Sequence, residues 1–301
     1  MKTRTIQSLR LVLMLTITGS AFSNSIVHAG SDSSEAGSNN VQSTDTYYTS
    51  YPGLRSQAFD VGPEIYSYSY EESGFMEEEG VLFGIRLGYT DRDWVSKSQQ
   101  ATPSDGGRMM RGEVRLAYGQ VDYDGQTMAG IPYAADNIDD WAFETRFLLG
   151  GDWLTNTALN TLYAGIGYRY LLDKLSDDPA GYDRESNYLY VPVGFQWDSS
   201  CQHGWSLGFN AEFDVFIVGV QTSHLSDIGW FEDVDNVQES GYGYRASLKL
   251  QHKSQKGILI LEPFFRYWDI DRSEIEYEFF GPVWEPANET TEIGFSAIWM
   301  F

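Results

Sequence analysis

From about residue 57 to Phe301 the chain alternates bulky apolar residues with small or charged ones, segment after segment. A period of two is the signature of a strand whose two faces meet different surroundings. Val81, Phe83, Ile85, Leu87 and Tyr89 alternate with Leu82, Gly84, Arg86, Gly88 and Thr90. Trp141, Phe143, Thr145, Phe147 and Leu149 alternate with Ala142, Glu144, Arg146 and Gly150. Trp205, Leu207, Phe209, Ala211, Phe213 and Val215 alternate with Ser206, Gly208, Asn210, Glu212 and Asp214. Similar segments begin near Glu113, Leu162, Tyr188, Tyr242 and Gly257, and the last runs from Thr291 to Phe301. The stretch from Phe59 to Tyr70 reads as an opening strand whose faces the pattern does not assign. One face is apolar in nearly every segment while the other carries Gly and charge. A sheet built this way needs an oily exterior, and closing it on itself satisfies its edges. The expected fold is an all-β, antiparallel, up-and-down transmembrane barrel of about ten strands, with eight or twelve also compatible with an even count.

The flanking sequence fits that reading. Lys2, Arg4 and Arg10 precede the apolar run 11–22, and Val27-His28-Ala29 offers small residues for cleavage, so residues 1–29 read as a signal peptide. The run falls short of the roughly 20 residues of a spanning helix. Residues 30–56 read as a disordered periplasmic leader, most clearly in the polar segment 30–45. Residues 57–301 then form the barrel domain.

The terminal segment Thr291-Glu-Ile-Gly-Phe-Ser-Ala-Ile-Trp-Met-Phe301 resembles the last strand of Gram-negative outer-membrane β-barrels. The resemblance implies an outer-membrane location, with Phe301 as the assembly signal read by the barrel-assembly machinery. It also implies that lipid and lipopolysaccharide surround the protein. Tyr168, Tyr170, Trp197, Trp205, Tyr242, Tyr244 and Trp299 near strand ends suit aromatic belts at the headgroups. Gly-Tyr-Arg-Tyr (167–170) and the final strand are similar to small proteobacterial barrels to which no activity is attached.

Charge narrows the function further. The formal net charge of −23 becomes −26 once a signal with three basic residues and no acid is removed. Such a chain is poorly suited to nucleic acid, whose phosphates need basic patches. Cys201 is the single cysteine, so no intrachain disulfide forms. The charges on the non-lipid face nearly balance: Arg86, Glu113, Arg115, Glu144, Arg146, Arg169, Glu212, Asp214, Arg245, Lys249, Glu262 and Arg266, with Glu292 beside them. In a narrow bore these charges are expected to pair, with Glu113 and Arg115 facing Glu144 and Arg146. The leading functional expectation is therefore a structural or surface-interaction barrel with a filled lumen. The alternative is a narrow passive channel for small solutes.

The links expected outside are acidic: Glu71, Glu72, Glu77, Glu78 and Glu79; Asp173, Asp177, Asp178, Asp183 and Glu185; Asp227, Glu232, Asp233, Asp235 and Glu239; Asp271, Glu274, Glu276, Glu278 and Glu285. They form an expected crown that weakly attracts divalent cations, with Asp233-Val-Asp235-Asn236 the most ligand-like spacing. Asp91-Arg-Asp93-Trp94 resembles the Asp-x-Asp-Trp signature of omptin proteases, which would pair it with His224 near Asp227. The expected topology puts these at opposite ends, and Thr222 stands where the omptin pattern has an acid. No cofactor motif, metal cluster, phosphate loop or serine nucleophile is visible, so no catalytic residue is assigned.

Overall fold

A computed structural model describes residues 55–94, 106–127, 130–178, 181–229, 232–278 and 281–301. The expected signal peptide and all but the end of the expected leader lie outside the described residues. The strands are β1 (Gln57–Glu72), β2 (Met76–Trp94), β3 (Gly106–Gln126), β4 (Pro132–Leu154), β5 (Ala158–Asp173), β6 (Arg184–Ser199) and β7 (Trp205–Ser223). They are followed by β8 (Val234–Gln238), β9 (Gly241–Lys253), β10 (Ile258–Ile270), β11 (Glu276–Glu278), β12 (Gly281–Val283) and β13 (Asn288–Met300).

Ten of these close a barrel. Neighbours pair antiparallel in chain order from β1 to β7, then through β9, β10 and β13 back to β1. β8 adds a short rung to β7, and β11 and β12 form a separate hairpin in the β10–β13 link. At the seam Phe59 and Phe301 exchange both backbone hydrogen bonds, at 2.9 and 3.0 Å, and their rings stack 6.2 Å apart. Closure leaves the ten-stranded sheet without a free edge over the belt, as backbone in an apolar medium requires.

Alternation puts the apolar set outside. Phe83, Leu248 and Ile293 are 62, 64 and 59 % exposed, while inward neighbours such as Leu82 and Glu292 are 1 % exposed. β1, ambiguous in the sequence, turns Asp60, Glu64, Tyr66, Tyr68, Tyr70 and Glu72 inward. Its tyrosines line the lumen while Ser67 and Ser69 face out, which is why polarity alone did not separate its faces.

The walls run further than a membrane needs. A transmembrane strand takes roughly 9–11 residues, whereas β3 has 21 and β4 has 23. The excess lies at the end away from Phe301. Beyond Val81, Tyr118 and Trp141 the outward positions become Glu79 and Glu77, Gln120 and Asp122, and Asp139. A bulge sits in that projecting hairpin, where Asn137 takes φ 59° and its N–H donates to Asp122 at 3.0 Å. Asn is among the few side chains that tolerate this left-handed geometry.

Longer strands correct the expected outer link that held Glu71 to Glu79: only 73–75 separate β1 from β2. At the other end 95–105 lie between β2, which continues to Trp94, and β3, which starts at Gly106.

Candidate functional site

The distinctive chemistry lies in the bore. Each inward charge stands there because it falls on the inward phase of an alternating strand. Register then fixes its nearest partner: Glu113 lies opposite Arg146, Arg115 opposite Glu144, and Glu144 opposite Arg169. The Glu113–Arg146 contact closes, and Arg115 reaches Glu144 at 3.3 Å.

Other contacts join more distant strands across the lumen. Arg245 on β9 holds Glu144 on β4 at 2.5 and 2.9 Å, and Asp214 at 2.7 Å. Arg146 on β4 meets Glu212 on β7 at 2.5 Å. Glu292 on β13 collects Arg115 at 2.6 Å, Arg266 at 2.9 Å and Arg169 at 3.3 Å. β5 and β13 stand on opposite sides of the ten-strand ring, so the Arg169–Glu292 contact spans the bore. Arg86 pairs with Glu262 at 3.1 Å, and Lys249 lines the gap beside them.

Three participants were missed by the alternation. Asp60 binds Arg111 at 2.8 Å, and Glu64 binds Arg115 and, at 3.1 Å, Arg266. The two acids belong to β1, whose face was unassigned, and Arg111 belongs to the part of β3 closest to the shortened link. With them included, Asp60, Glu64, Glu113, Glu144, Glu212, Asp214, Glu262 and Glu292 face Arg86, Arg111, Arg115, Arg146, Arg169, Arg245, Lys249 and Arg266. These make eight carboxylates and eight cations. Burial of so many charges is tolerable because all of them but Lys249 lie within ion-pair distance of an opposite charge. Beside them Arg92 pairs with Asp152 at 2.5 Å, and Asp198 accepts from Gln251 at 2.6 Å.

An aromatic layer caps the network on the side away from Phe301. Arg169 and Arg245 lie 5.6 and 5.8 Å from the Trp268 ring, and Arg245 also lies 5.4 Å from Tyr190. Tyr190 donates to Glu144 at 2.7 Å and stacks edge-on against Trp268 at 4.9 Å. Its ring occupies the space a side chain at Gly167 would need, since a Cβ there would sit 2.1 Å from the ring. The gaps left in the charged layer are about 50 and 40 Å³, room for a few water molecules at most.

Beyond the aromatic layer the bore opens into a vestibule of about 730 Å³. Here the expected acidic crown needs correction. Glu72, Glu78, Asp173 and Glu285 are not solvated loop acids: they point inward and are 5, 3, 7 and 4 % exposed. The inward phase of the prolonged strands carries the first three below the rim. Arg184 pairs with Glu72 and reaches Glu285 at 3.3 Å. Asp233, offered as a cation ligand, instead accepts the Ser226 N–H at 3.1 Å and contacts His224 Nδ1 at 3.2 Å.

The omptin-like residues do not converge. Asp91 pairs in register with Gln57 near the Phe301 end, and Asp93 is bound to Arg108 at 2.6 Å. His224 sits at the other end, between Asp233 and Glu185.

No family model matches this chain, and neither does any curated protein. Solved structures similar to it are outer-membrane barrels. They include the outer-membrane protease OmpT of Escherichia coli, at 9 % identity and TM-score 0.45, covering 81 % of this chain and 96 % of that one. Neisserial surface protein A matches at 10 % identity and TM-score 0.33, over 81 % of this chain and 99 % of the other. The toluene transporter TodX of Pseudomonas putida matches at 10 % and 0.33, over 81 and 89 %.

Proposed function

We propose that this ten-stranded barrel resides in the outer membrane as a surface-interaction protein, with its bore sealed and its outer mouth shaped for contact. The observation that carries the reading is the eight-to-eight ion-pair layer crossing the lumen. A conduit lined by charge keeps its walls hydrated and apart, whereas here guanidinium and carboxylate groups from opposite walls meet. Moving one partner aside to admit a solute strands the other in a low-dielectric interior.

The outer surface supports the membrane location. A belt of exposed Phe, Leu and Ile around the whole barrel far exceeds the apolar patches that water-soluble proteins expose. Lipid and lipopolysaccharide are the surroundings that suit it, with divalent cations screening the outward acids. Phe301, paired with Phe59 at the seam, suits recognition by the barrel-assembly machinery.

Planar-bilayer recording on the purified, refolded protein tests the sealed bore. The expected conductance is near zero. Steady, ion-selective currents overturn the reading in favour of a channel. Partitioning tests the location: protein that stays dispersed in buffer without detergent is not a membrane barrel.

A further inference from the structure

One part of the lumen departs from the pairing seen at its centre. Five buried carboxylates, Glu72, Glu78, Asp140, Asp173 and Glu285, gather at this end of the bore, and two of them, Glu72 and Glu285, line the vestibule. Arg184 stands with them and is within 4 Å of Glu72, Glu78 and Glu285. Asp140 and Asp173 are strand partners across β4 and β5, and neither has an ion pair among the described residues. They lie close to the cavity: Asp173 is the strand partner of Arg184, and Glu78 is the inward position next to Met76. Arg184 and Met76 both line the vestibule. The bore below matches eight carboxylates with eight cations, so the excess of buried carboxyl groups over cations is greatest at the mouth.

A second observation does not involve the acids. Asn236, 3 % exposed, lines the vestibule from β8, and its Oδ1 accepts from no donor among the described residues. Above the floor the wall is aromatic, with rings from Phe75, Tyr123, Tyr133, Tyr182 and Trp284. Uncompensated acceptors beneath an aromatic wall suit a head group that only donates hydrogen bonds and carries positive charge. A metal ion fits less well, because no group of three or more His, Cys, Asp or Glu residues among those described converges as a ligand set.

We propose that the vestibule binds an amphipathic organic ammonium, its apolar body against the aromatic wall and its head directed to the carboxylates at the floor. The inference adds a ligand class to the surface-interaction reading and relies on it only for which end faces outward. The large negative charge of the chain would also concentrate such cations near the mouth.

The test uses the full barrel in a non-ionic detergent, titrated with phenethylammonium, 2-phenylethanol and 3-phenylpropionate, with Trp284 fluorescence and calorimetry as readouts. The ammonium is expected to bind about tenfold or more tightly than the alcohol, with the carboxylate weakest. In the double variant Asp140→Asn, Asp173→Asn that preference should fall to about twofold or less while alcohol binding is unchanged. Should the double variant fail to refold, Glu78→Gln is held to the same criterion. Equal binding of ammonium and alcohol, no binding of the ammonium, or a preference that survives the substitutions overturns the proposal. Conductance is measured separately, so failure here and failure of the sealed-bore reading are distinguishable.

Discussion

Glu292 is the residue on which pairing in the bore converges, since Arg115, Arg169 and Arg266 all reach its carboxylate. Glu292→Ala strands three guanidinium groups in a buried layer, and the expected loss is about 3–5 kcal/mol, read from urea unfolding in detergent. Gly167 matters for a different reason. Gly167→Ala drives a methyl into the Tyr190 ring, displacing it from Glu144 and Arg245. Overpacking of this kind costs about 1–3 kcal/mol, and a wild-type unfolding midpoint would refute the contact. At the mouth, burial pushes the Glu285 carboxyl up to about 7 against the opposing pull of Arg184. A carboxyl raised above its ordinary 4.5 holds its proton only when folded, so its contribution falls as pH rises from 4.5 toward 7. His224 is partly buried, which lowers its pKa, but Asp233 and Glu185 outweigh this and raise it above 6.5. Its contribution is complete below 6.5 and disappears as pH climbs through the raised value. Both groups act in one direction, so the links 224–240 and 271–287 should lose hydrogen-exchange protection between about pH 5 and pH 8. Protection that holds or grows, after correction for intrinsic exchange, contradicts this.

The strands divide into a belt and an outer extension, and the two should respond differently to charge. Phe147 faces outward within the belt, whereas Ile131 sits at the projecting β3–β4 turn. Phe147→Arg should destabilise the barrel by about 2–4 kcal/mol, and Ile131→Arg by about 1 kcal/mol or less. Equal costs in lipid-refolding titrations would mean that the belt is misplaced. The same division explains what was legible at this level. Period two assigned the faces of β2 to β7, β9 and β13, whereas β10 was less clean because Ile258, Ile260 and Phe264 share its inward face with Glu262 and Arg266. It left β1 unassigned because Tyr66, Tyr68 and Tyr70 point into the bore. Strand ends were also hidden, since acid-rich text such as residues 77–79 looks like loop. Only pairing with neighbours keeps Glu77 and Glu79 on an extended wall with Glu78 turned inward.

At the scale of the whole barrel, closure brings together residues that no local pattern connects. Arg169 and Glu292 are 123 positions apart and meet across the lumen. A double-mutant cycle on Arg169→Ala and Glu292→Ala should show coupling of about 1–3 kcal/mol. Additivity within about 0.5 kcal/mol would mean that the two do not meet. Many of the lumen charges were readable beforehand because face is a property of one strand, but Asp60, Glu64 and Arg111 were not. The adjacent rungs, Glu113 with Arg146 and Arg115 with Glu144, were readable as well, because a hairpin sets its own register. Which groups meet across the bore was not, because that depends on strand number, stagger and closure together. Sequence alone therefore determined an all-β chain with an oily face and a charged one, since alternation is local. Tertiary structure alone decided that eight acids and eight bases come together at the centre while the mouth keeps an excess of buried carboxyl groups, because those distances exist only once the sheet is wrapped shut.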